Sequence, residues 1–96
     1  MSGLIHLSER AVERAIQQLI KGDSTQEIAR SLSPDQFEEL LALLWFGQSP
    51  NANLGFAWHR KHYQLPLHGQ VNLSASSLRR GLFRLRAETT LVYSAA

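Results

Sequence analysis

Ser33-Pro34-Asp35-Gln36-Phe37-Glu38-Glu39-Leu40-Leu41-Ala42-Leu43-Leu44-Trp45-Phe46-Gly47 is the stretch that decides the fold class. Ser33 can accept from a free amide of a first helical turn, and Pro34 has no amide to lose there. Asp35 adds an acid at the positive helix end, and Gln36 stands where a capping box needs a glutamine. The run therefore predicts a helix over 34–46 that stops at Gly47. The same start occurs twice more: Leu7-Ser8 precedes Val12 and Ile16, and Leu73-Ser74 precedes Leu78 and Leu82. In each copy the leucine before the cap can staple onto the fourth helical residue. The serines are 25 and 41 residues apart, which fits no regular repeat family, so the pattern is one good helix start used three times.

Toward the N-terminus, Ser8 caps a helix whose apolar stripe is Val12, Ala15, Ile16, Leu19 and Ile20, with Gly22 as its stop. Ser24-Thr25-Gln26-Glu27 is a capping box that opens a short helix to about Leu32. Toward the C-terminus, Ser49-Pro50-Asn51 marks a loop, and a fourth helix is expected over 54–64 with Leu54, Ala57, Trp58 and Leu65 on one side. Pro66 ends it, His68-Gly69 is a turn, and 71–73 is extended or loop. Ser74 then caps a fifth helix. Thr89-Thr90-Leu91-Val92-Tyr93 is β-branched and aromatic and is expected as a short strand. Its partner would be 4–7, the segment around Val71, or a second copy of the chain, the last giving a homodimer through Thr89 to Tyr93.

The expected fold is mainly α: one domain spanning 1–96, a small bundle of four to five short helices with a short C-terminal β segment. The expected core is Val12, Ile16, Leu19, Ile28, Leu32, Phe37, Leu40, Leu41, Leu44, Trp58, Leu78, Leu82 and Leu85. Hydrophobic residues at 44% against 19% charged residues place the chain among globular proteins rather than disordered ones. There is no cysteine, which excludes disulfides, thiolate metal sites and a cysteine nucleophile. The N-terminal stretch lacks the pattern of a secretory signal, and the longest apolar run, 40–46, is far short of the roughly 20 residues that cross a bilayer. A cytoplasmic protein is expected.

Charge is unevenly spread. Residues 1–50 hold four basic and seven acidic groups, a balance of −3, whereas 51–96 hold six basic groups against Glu88, a balance of +5. On the fifth helix Leu78, Leu82 and Leu85 share one face. Arg79 and Arg86 flank it on one side, Arg80 and Arg84 fall on the far side, and Phe83 lies between the two pairs. An aromatic residue displayed among arginines is a composition shared by protein hot spots and nucleic-acid surfaces. The opposing reading buries Phe83 and pairs the arginines with acids of the first half.

Gly22-Asp23-Ser24-Thr25-Gln26-Glu27-Ile28-Ala29-Arg30-Ser31-Leu32 resembles the first motif helix of bacterial helix-turn-helix regulators. That resemblance implies a DNA-reading helix next, but the first turns of the next helix carry Asp35, Glu38 and Glu39, which phosphates repel. Ser74-Ala75-Ser76-Ser77-Leu78-Arg79-Arg80-Gly81-Leu82-Phe83-Arg84-Leu85-Arg86, followed by a strand, resembles a winged-helix recognition helix with its first wing strand. Its charge has the right sign, and the likeness implies phosphate contacts. The eight-residue connection before it is long for such a motif.

His59, His62 and His68 sit close in sequence, but no acid lies between residues 40 and 87 to complete a metal site. His59-Arg60-Lys61-His62 instead complements the negative end of its helix. No serine has a nucleophile-elbow context, no histidine has an evident carboxylate to orient it, and no glycine loop cradles phosphate. The expectation is a non-enzymatic regulatory or adaptor protein, without cofactor or metal, that binds a partner protein through Arg79, Arg80, Phe83, Arg84 and Arg86. The alternative is a nucleic-acid binder that uses the same helix, with Arg60 and Lys61 on phosphates.

Overall fold

The computed structural model describes residues 3–63 and 72–95, with side chains as far as residue 88 in the last helix. Pro66, the His68-Gly69 turn, His68 and Val71 lie outside the described residues. The elements are α1 (Glu9–Ile20), α2 (Thr25–Arg30), α3 (Pro34–Gln48), a 3-10 turn (Ala52–Leu54), α4 (Phe56–His62) and α5 (Ala75–Ala95). No described helix is long and apolar enough to cross a membrane.

Helix starts form as the serines dictate. Ser8 Oγ accepts from the Ala11 amide at 3.0 Å, and Ser24 with Glu27 and Ser33 with Gln36 close two reciprocal capping boxes. Gly22 takes φ +104°, the left-handed conformation that ends α1. Of the expected core, Val12, Ile16, Ile28, Leu40, Leu41, Leu44, Leu78, Leu82 and Leu85 are buried, while Leu19, Leu32 and Phe37 pack against it partly exposed.

α5 is the central element, packed against α3 on one side and α1 on the other. It runs antiparallel to α1: Glu9 and Glu13 at the start of α1 meet Arg86, while Leu73, just before α5, donates to Thr25 Oγ1 just after α1. Contact with α3 is backbone to backbone. A Cβ added to Gly47 would stand 2.0 Å from the Ser77 carbonyl oxygen, and one added to Gly81 would stand 2.4 Å from that of Leu43. This explains why α3 runs on through Gly47 to Gln48 rather than stopping there. Gly47 is a crossing point, not a terminator.

The expected C-terminal β segment is absent: the described residues contain no strand, and 89–93 continue α5. β-branched residues cost a helix only a few tenths of a kcal/mol each, whereas a strand needs a neighbour. The segment 4–7 is not available as that neighbour. Its amides at Ile5, His6 and Leu7 donate at 2.9, 3.0 and 2.8 Å to the carboxylate of Glu39, a buried residue of α3. With no strand, a homodimer through edge pairing of Thr89 to Tyr93 loses its basis.

Trp58 is a second correction. It was expected in the core, but it is 36% exposed, and Phe56 and His59 point inward instead. Gly55, at φ +87°, is where the chain turns into α4, and Phe56 and His59, three apart on that helix, form its buried face. Glu88 of α5 fixes that start by accepting the Phe56 amide at 3.0 Å.

Candidate docking cleft between α1 and α5

Antiparallel packing of α1 on α5 leaves a cleft of about 530 Å³ between their outer edges, lined by Arg10, Glu13, Arg14, Ile16, Gln17, Arg79, Leu82 and Arg86. Arg10, Arg14 and Gln17 follow one another at i, i+4 and i+7, so they form one edge of α1. Arg79, Phe83 and Arg86 have the same spacing on α5. Ile16 and Leu82 belong to the core and form the floor. Phe83 is 71% exposed, the largest exposure among the big hydrophobic side chains described.

The arginines divide by role. Arg86 donates to Glu9 at 2.8 Å and to Glu13 at 2.5 Å, and these two carboxylates hold its pKa above the ordinary arginine value. It closes one end of the cleft. Arg10, Arg14, Arg79 and Arg80 are exposed and have no hydrogen-bond or ion-pair partner among the described residues. Arg84 turns the other way, under α3, and donates to the carbonyls of Phe46 at 2.6 Å and Ser49 at 3.0 Å. Its charge there meets the negative end of α3 and satisfies carbonyls that the helix leaves open. Arg84 is thus a helix cap.

Arg60 and Lys61 are not brought to this surface. Arg60 donates to the Gly3 carbonyl, lies over the Phe56 ring at 5.7 Å, and lines a separate cavity of about 240 Å³ with Ile5, His6, Asp35, Glu38 and Glu39. Lys61 is exposed on α4. Of the residues named from sequence, Arg79 and Arg86 line the cleft, Phe83 is exposed on the same edge of α5, and Arg80 does not line it. Arg10 and Arg14 also line the cleft, and sequence reasoning missed them. Their signal was an i, i+4 arginine pair beside the Val12–Ile16 stripe, but nothing in the sequence said that α5 would lie alongside.

The histidines do not converge either. The His59 ring is buried and donates from Nδ1 to the Gly55 carbonyl at 2.6 Å; its Nε2 has no partner among the described residues. Trp45, Phe46 and Trp58 surround it at 4.6, 5.0 and 5.1 Å between ring centroids. His62 donates to the Trp58 carbonyl at 2.9 Å and stacks on the outer side of that indole at 4.4 Å. Tyr63, at the edge of this cluster, has its pKa raised, first by burial and then by the Glu38 charge. Among the described residues no group of three or more His, Asp or Glu side chains is placed to hold a metal ion.

No protein-family model, no curated protein and no solved structure matches this chain.

Proposed function

We propose that this protein is an adaptor or regulatory binding module that takes an acidic segment of a partner protein into the α1–α5 cleft. One observation carries the reading: Arg10, Arg14 and Arg79, without a hydrogen-bond or ion-pair partner among the described residues, surround an apolar floor of Ile16 and Leu82, with Phe83 displayed on the same edge of α5. Guanidinium groups around a hydrophobic strip fit an amphipathic segment whose carboxylates meet the rim and whose apolar residues meet the floor and Phe83. The bundle supplies rigidity: α5 is held against α3 by the Gly47–Gly81 packing and by Arg84, and α1 is tied to α5 by Glu9 and Glu13 on Arg86. Nucleic acid is the competing ligand. Glu9 and Glu13 at one end of the cleft count against it, because a phosphodiester track would have to pass them.

The test is a fluorescence-polarisation titration of glutamate-rich helical peptides carrying one leucine stripe, run beside single-stranded and duplex DNA and RNA, at two salt concentrations. Saturable peptide binding that weakens about tenfold or more in Arg14→Ala/Arg79→Ala and in Phe83→Ala is expected. Steeply salt-dependent nucleic-acid binding with no peptide binding would replace this reading by the competing one.

A further inference from the structure

Resting on the reading of the cleft as a docking site, we propose that the anion it is built for is a phosphoryl group on a side chain of the partner, so that the partner's phosphorylation controls docking. The balance of donors and charge points there. Four arginines and one glutamate line the cleft, and that glutamate, Glu13, is already engaged by Arg86. Arg10, Arg14 and Arg79 remain, each with five N–H donors and no internal acceptor among the described residues. A carboxylate brings a single charge and pairs bidentately with one guanidinium. Three guanidiniums around one cavity call for more charge and more acceptors. A phosphoryl group supplies about −1.5 to −2 charges and three strong acceptor oxygens.

The residue types and their placement agree with this. No lysine lines the cleft, and arginine is the side chain whose planar fork matches phosphate oxygens in pairs. Arg10 and Arg14 stand four apart on α1, where like charges repel, while Arg79 lines the same cleft from α5. An anion held between the two walls would relieve repulsion within α1 and across the cleft together. A single terminal phosphoryl group also fits the charge pattern better than a nucleic-acid backbone does. A backbone running along the cleft would meet the carboxylates of Glu9 and Glu13, which hold Arg86 at one end. Phe83, next along α5 from Arg79, offers an apolar contact to a residue flanking the phosphorylated one.

Three forms of one glutamate-rich helical peptide test the inference, with serine, glutamate or phosphoserine at one central position, titrated against the full chain by fluorescence polarisation. The phosphoserine form is expected to bind at least tenfold more tightly than the glutamate form. The gap should fall to twofold or less in Arg14→Ala/Arg79→Ala, with unchanged helical circular dichroism as the check on folding. Its affinity should also rise several-fold between pH 5.5 and 7.5, as the phosphoryl group loses its second proton near pH 6. The cleft is lined by arginines and Glu13, with Glu9 on Arg86, and by no histidine, so a pH response absent from the glutamate form belongs to the ligand. Equal affinity of the phosphoserine and glutamate forms overturns the phosphoryl inference and leaves acidic docking standing. Failure of all three peptides overturns both. Tighter binding of a 5′-phosphorylated oligonucleotide than of the phosphoserine peptide assigns the site to nucleic acid and overturns the inference.

Discussion

Gly47→Ala is the sharpest probe of how the bundle is held. The new methyl would sit 2.8 Å from the Gly81 amide nitrogen and 2.0 Å from the Ser77 carbonyl oxygen, the latter more than an ångström inside ordinary contact. Both are backbone atoms of α5, so no side chain can swing away. α3 and α5 must separate, and α5 also contacts α1. Overpacking of this kind costs about 1–3 kcal/mol, with rigid backbone neighbours at the upper end. Replacing glycine by alanine inside a helix returns about 1 kcal/mol. The expected net loss is about 2 kcal/mol, or roughly 10 °C in Tm for a domain of this size. Urea unfolding followed by far-ultraviolet circular dichroism measures it. Gly81→Ala should lose a comparable amount, since its Cβ would meet the Leu43 carbonyl at 2.4 Å. The double variant should lose less than the two single losses together, because one separation of the helices relieves both clashes. A Gly47→Ala protein as stable as the parent, or more so, would refute the close crossing, because propensity alone would then decide the outcome.

Glu39→Gln should cost about 2 kcal/mol, since its carboxylate accepts three backbone amides and charged acceptors contribute the most. Faster hydrogen exchange at Ile5, His6 and Leu7 would locate the damage at the N-terminal segment. Arg84→Ala should lose about 1–3 kcal/mol by freeing the carbonyls of Phe46 and Ser49. Arg80→Ala, at an exposed position on the same helix, should stay within about 0.5 kcal/mol, and equal losses would contradict the division of roles drawn for the arginines. The raised pKa of Tyr63 implies stability that is fully present below pH 10, the unfolded value, and is lost as pH rises through the folded one. In Tyr63→Phe, urea midpoints should therefore fall less between pH 9 and pH 11 than in the parent, and an identical fall would remove Tyr63 as a source of the alkaline sensitivity.

The helix starts were legible in the sequence because a cap is a local device: Ser8, Ser24 and Ser33 act on amides three residues away. The leucine stripes were legible for the same reason, since periodicity is a property of one helix. Position 83 followed from periodicity too. Once Leu78, Leu82 and Leu85 face inward, a residue on the opposite side of the wheel, between the two arginine pairs, faces out, and Phe83 does.

Tertiary structure decided the rest. The 89–93 segment has strand propensity, but propensity differences of tenths of a kcal/mol do not decide the outcome when 4–7, a candidate strand neighbour, is tied to Glu39. Arg79, Arg84 and Arg86 are one residue type on one helix, and the sequence grouped them by charge. The fold separated them, because α3 lies on one side of α5 and places open carbonyls beside Arg84, while α1 lies on the other and places carboxylates beside Arg86. Arg10 and Arg14 joined the cleft in the same way. The sequence by itself determined which faces are apolar and where helices begin, since those depend on neighbours within a turn. Which charges meet and which stay exposed depends on helix-to-helix placement, which residues far apart in sequence set: Gly47 and Gly81 for α3 on α5, and Glu9 and Glu13 with Arg86 for α1 on α5.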